Sequence, residues 1–136
     1  MQILFHTKSL PTARLIWHCP YFIIFSSDDG KVYGENYKEY ALVRLDGEVL
    51  ESDLQTKNVL TVNRQDNFEG WDHWKEKNKA GFDSTVYFEK YDRKITTITE
   101  NHGVAVNNVT TMPDHADNVY VALTGDQCAL TNIRIY

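Results

Sequence analysis

From Tyr21 to Tyr136 the chain alternates between short runs of apolar and branched residues and clusters of turn formers. The runs read YFIIFSS, EYALVRLD, NVLTVNR, STVYFEK, KITTITEN, GVAVNNVTT, VYVALTG and CALTNIRIY. DDG, DGE, YDRK, NHG and PDHADN stand between them, residues that accept positive φ or close Asx turns. Period-2 runs cut by turns roughly every eight to twelve residues predict an antiparallel β-sandwich or barrel. Ahead of Tyr21, QILFH and RLIWH read as two further strands joined by a turn around Ser9 to Thr12. Lys8 and Arg14 before the mostly apolar LIWHCPYFIIF superficially resemble a signal peptide, but His18 and Pro20 interrupt it and no small-residue cleavage site follows. The pattern predicts one all-β domain over residues 1–136, with two packed antiparallel sheets and at least eight strands.

One segment breaks the alternation. Phe68 to Gly81 reads as a short helix near 70–79, closed by Gly81, with Trp71 and Trp74 three apart on one face. Lys75, Lys77 and Lys79 complement the C-terminal end of its dipole. Such a helix plugs one end of the sandwich with its indoles; alternatively, one indole lines a ligand groove beside His73.

Alternation also assigns faces. Ala41, Val43 and Leu45 point to the core, leaving Tyr40, Leu42, Arg44 and Asp46 outward. Val86 and Phe88 face inward and Tyr87 outward; Val121 and Leu123 inward and Tyr120 outward. If these strands are neighbours, Tyr40, Tyr87 and Tyr120 form an aromatic platform flanked by Arg44, Asp46, Asp83 and Glu89. Rings stack on the apolar faces of sugars while charged planar groups hold hydroxyls, so the platform has the composition of a sugar site. Strand propensity alone also places tyrosines there.

Composition narrows the function classes. The 136 residues carry a net charge of −5 with both signs mixed, which argues against nucleic-acid binding, where phosphate contacts call for a basic face. No apolar run approaches the ~20 residues that span a bilayer. Cys19 and Cys128 lack CxxC spacing and read as small buried hydrophobes, with a disulfide between the terminal strands as the alternative. The five histidines are scattered, and no nucleophile elbow, phosphate loop or paired-carboxylate strand pattern is present, so no enzyme chemistry is predicted. No cofactor is expected, although the oxygen-rich loops Ser26–Gly30 and Asp114–Asn118 could hold a structural calcium.

The Trp17–Phe25 stretch, the Glu39–Asp46 strand, the Gly70-Trp71 segment, and VYVALT ahead of the final ALTNI together resemble the concanavalin-like or jelly-roll glycan-binding modules of bacterial polysaccharide-degrading proteins. The resemblance implies a lectin-like, non-catalytic β-sandwich outside the cell whose partner is a poly- or oligosaccharide. It carries Trp17, Tyr40, Arg44 and Asp46 over as ligand-binding positions. Trp71, Tyr87 and Tyr120 complete the candidate site. The second reading is a ligand-sensing or protein-interaction domain of the same fold from a larger signalling or cell-surface protein.

Overall fold

The computed structural model describes residues 1–13, 19–50 and 55–136. Ten strands and one helix follow in the order β1 (Gln2–Ser9), β2 (Pro20–Ser26), β3 (Lys38–Arg44), β4 (Val49–Leu50), β5 (Lys57–Arg64), α1 (Trp71–Ala80), β6 (Phe82–Tyr91), β7 (Lys94–Asn101), β8 (Val104–Thr111), β9 (Tyr120–Gly125) and β10 (Cys128–Ile135). They form two antiparallel sheets: a six-stranded one ordered β10-β1-β6-β7-β8-β5 and a four-stranded one ordered β4-β3-β2-β9. The β-sandwich expected from the alternation is the fold, and the helix falls where the break in the pattern puts it. Of the expected strand RLIWH, residues 14–18 lie outside the described residues.

Two tight hairpins set the register of the large sheet. Between β7 and β8 only His102 (φ 51) and Gly103 (φ 83) turn the chain, the two positive φ angles of a type I′ turn. A Cβ on Gly103 would stand 2.6 Å from the Phe68 backbone, so that position needs glycine for space as well as for φ. Between β6 and β7 the turn is Asp92-Arg93, with Asp92 at φ 54.

The core lies between the sheets. Phe5 and Phe88 from the large sheet meet Phe22 from the small one edge-on, at 6.1 and 5.5 Å between ring centroids. Val43, Leu45, Val86 and Phe88 are buried as expected, whereas Val121 and Leu123 are only half-buried because β9 is the edge of the small sheet. Part of the core face of β7 and β8 is polar: Ser84 donates to Asn101, Asn101 to Thr99, and Asn108 to Thr110 and Asn58. Trp74 of α1 is buried and donates its indole N–H to the Asn101 carbonyl at 3.2 Å, so this indole is core. Trp71 is half-buried against Phe68 and Trp74.

The face assignment of β3 needs correction. Ile24 pairs with Ala41 and Phe25 with Glu39, so Tyr40 is the extra residue of a β-bulge. The bulge shifts the alternation by one and turns Tyr40 inward. It is 2% exposed, joins the core, and shares a 2.9 Å hydrogen bond between its phenol and the Ser26 hydroxyl. Cys19 and Cys128 are free thiols, buried and half-buried respectively. Burial, with the charge of Asp46 second, pushes the Cys19 thiol up to about 12, which keeps it protonated and unreactive near neutral pH.

Candidate functional site

The single aromatic platform expected from the strand faces is not formed. Tyr87 lies on the large sheet, whereas Tyr40 and Tyr120 belong to the small one, and Tyr40 is buried by its bulge. Tyr120 is half-buried on the outer face of the small sheet, stacked on Phe25 at 5.5 Å under the loop that carries Gly30. Nor do Tyr40, Arg44 and Asp46 line up on one strand face. Arg44 is taken up by the chain's own acids: Asp46 at 3.3 Å, Asp126 at 3.4 Å and Glu48 at 3.9 Å. Trp17 lies outside the described residues. Trp71 sits on the helix, which packs beside β1.

A different row of residues emerges from the sheet register. On the outer face of the large sheet Tyr136 faces Gln2 through reciprocal 2.8 Å backbone bonds, and Gln2 pairs with Tyr87. Tyr87 pairs with Ile98, Ile98 with Asn107, and Asn107 with Thr61. Paired residues on antiparallel strands share a face, so these six side chains form one line crossing every strand of the sheet. With neighbouring strands about 4.8 Å apart, the line is roughly 24 Å long. Tyr136 is 68% exposed, Tyr87 51% and Ile98 43%. The Gln2 amide donates to the Tyr87 phenol at 3.3 Å and ties down the ring at the centre of the row.

Two grooves open on the same face. One, of about 430 Å³, is lined by Gln2, Tyr87, Thr96, Ile98 and Tyr136 among others, and so contains most of the row. The other, of about 610 Å³, lies next to it between β10, β1 and β6. The row offers two rings, two amides, one threonine hydroxyl and one aliphatic group, and Thr96 and Glu89 add a hydroxyl and a carboxylate to the wall of its groove.

Sequence reasoning found Tyr87 and missed Gln2, Thr61, Ile98, Asn107 and Tyr136. The signal for part of the row was present. The two-residue turns YDRK and NHG fix which residues of β6, β7 and β8 face one another, and they set Tyr87 against Ile98 against Asn107. That β1 lies between β6 and β10 is a long-range fact with no local signature.

The two oxygen-rich loops do converge. Ser26, Ser27 and Asp28 meet Asp114 to Asn118 around an open pocket of about 590 Å³, with Asn36, Lys38 and Tyr40 completing its walls. Its acids are engaged by neighbours: Asp28 accepts from the Asn36 amide at 2.5 Å, Lys38 pairs with Asp114 at 3.6 Å, and His115 with Asp117 at 3.3 Å. Among the described residues no group of three His, Cys, Asp or Glu side chains is placed to hold a metal ion.

The chain matches no protein-family model, no curated protein and no solved structure.

Proposed function

We propose that this chain is a non-catalytic module that binds a glycan along the outer face of its six-stranded sheet. The observation that carries the reading is the line Tyr136, Gln2, Tyr87, Ile98, Asn107, Thr61 across all six strands. A pyranose presents apolar C–H faces and polar edges. Exposed rings with an aliphatic neighbour suit the faces, while amides and hydroxyls suit the edges. An extended, open row rather than a closed cavity suits a chain more than a small molecule. Binding is supported by the make-up of the row, which holds groups that grip the faces and edges of a sugar.

Affinity electrophoresis through gels containing single polysaccharides tests the reading. Retardation is expected in at least one of a panel of β-glucans, xylan, mannan, pectins and acidic glycans. Tyr87→Ala is expected to abolish it while leaving the thermal midpoint near that of the parent, because Tyr87 is half-exposed and outside the core. Unchanged retardation of Tyr87→Ala would move the site elsewhere, and the loop pocket beside Tyr40 would be next to test. No retardation of the parent on any polysaccharide would reject glycan binding and favour a protein-interaction role for the same face.

A further inference from the structure

The larger groove beside the row has a specific origin. Leu4 pairs with Arg134 and His6 with Thr131, so Asn132 and Ile133 together oppose Phe5. This is a β-bulge, and Asn132 sits in the left-handed region at φ 52. An extra residue bends β10 locally and interrupts its ladder with β1, and the groove of about 610 Å³ opens at that point. Its lining includes Asn132, Arg134, His6, Asp83 and Thr85.

The charges in this groove are unevenly used. Asp83 is engaged by His6 at 2.9 Å. Arg134, by contrast, pairs with no carboxylate among the described residues. Arg44, by comparison, has three acids around it. Arg134, an exposed residue, thus lines the groove together with Asn132 and has no carboxylate partner among the described residues, and its guanidinium is a planar fork of donors.

The position relates the groove to the row. Arg134 is two residues from Tyr136, Leu4 two from Gln2, and Thr85 two from Tyr87, all on the same outer face. The groove therefore runs alongside the row at one step of the pleat, about 7 Å away. A sugar chain lying on the row would place ring substituents over it.

We infer that this groove is an anion subsite, with Arg134 as its anchor, and that the glycan taken by the row carries carboxylate or sulfate groups. The inference rests on the glycan reading above and adds the ligand's charge to it. A guanidinium grips a carboxylate or sulfate through two parallel hydrogen bonds, whereas a neutral hydroxyl leaves its charge unmatched. Recognition has to be local, because a net charge of −5 offers a polyanion no long-range attraction.

The test compares polygalacturonate with its fully methyl-esterified form, and alginate and chondroitin sulfate with neutral xylan and β-glucan, by affinity electrophoresis and titration calorimetry. Tighter binding of an acidic chain than of its neutral counterpart is expected, by about tenfold or more in Kd. Arg134→Gln should bring the two to parity, and Arg134→Lys, which keeps the charge but not the fork, should fall between. The thermal midpoint of each variant serves as the check on folding. Equal affinity for charged and neutral chains, or a preference that survives Arg134→Gln, overturns the subsite while leaving glycan binding in place. Failure of every polysaccharide to bind overturns both.

Discussion

At the residue scale, two side chains have consequences that can be measured separately from any ligand. Arg44 is largely buried, as is the Asp46 carboxylate it faces, and one Asp46 oxygen is buried with no partner of its own. Removing the guanidinium leaves that carboxylate uncompensated, which costs about 3–5 kcal/mol for a buried pair. Arg44→Ala is therefore expected to lower stability by about 3 kcal/mol in urea melts; a loss below about 0.5 kcal/mol would mean the pair behaves as a solvated surface bridge. His102 behaves differently. Burial first, and the charge of Lys77 second, hold its imidazole below the ordinary 6.5, and its Nε2 is buried without an acceptor for an added proton. The unfolded chain then takes up a proton before the folded one does. Stability from this site is complete above about pH 6.5 and is lost as pH falls from there toward the lower folded value. His102→Asn keeps a residue that tolerates positive φ and removes the titration. The fall in thermal midpoint between about pH 7.5 and about pH 5 should be smaller in this variant than in the parent.

At the scale of elements, the hairpins and the bulges divide what local sequence encodes from what it does not. NHG and YDRK are short enough that the turn dictates the register, so the pairing of β6, β7 and β8 is written beside the strands themselves. Gly103→Ala is expected to cost more than about 1 kcal/mol, because it combines a positive φ with a Cβ driven into the Phe68 backbone; hydrogen exchange should show the β7–β8 amides opening first. The bulge at Tyr40 is the opposite case. EYALVRLD alternates without a fault, yet the extra residue turns a ring counted as outward into the core, where the Ser26 hydroxyl receives it. The bulge at Asn132 likewise leaves no mark in CALTNIRIY beyond an asparagine suited to positive φ. Alternation thus reveals that a strand exists and misreports its face wherever one residue is inserted. The threonines of KITTITEN add to the ambiguity, since Thr96 faces outward while Thr97 and Thr99 are buried, Thr99 accepting from Asn101 and donating to the Thr85 carbonyl.

At the scale of the whole molecule, the fold class was legible because every block of the chain carries the same period, and the candidate site was legible only in part because it depends on the order of strands. The core assignment of Phe88 holds: it is buried and packs edge-on against Phe22 across the two sheets. Phe88→Ala is expected to cost about 3–5 kcal/mol by leaving a cavity at this junction, read as a shift in the urea midpoint at unchanged slope. Residues that matter together but come from the first strand, the middle hairpins and the last strand, as the Gln2, Tyr87 and Tyr136 row does, carry no shared local signal.

The placement of β1 also governs time. The first strand lies inside the large sheet, with the β6 and β10 neighbours that complete it contributed from far along the chain. Loop closure over such separations must precede any gain from pairing, so folding is expected to be slow for a domain of this size, on the scale of milliseconds to seconds. During synthesis β1 has neither neighbour until β6 emerges, and one of its edges stays open until the last strand arrives. Ile3 and Phe5, silent in the finished core, are the side chains exposed to the wrong partner in that interval.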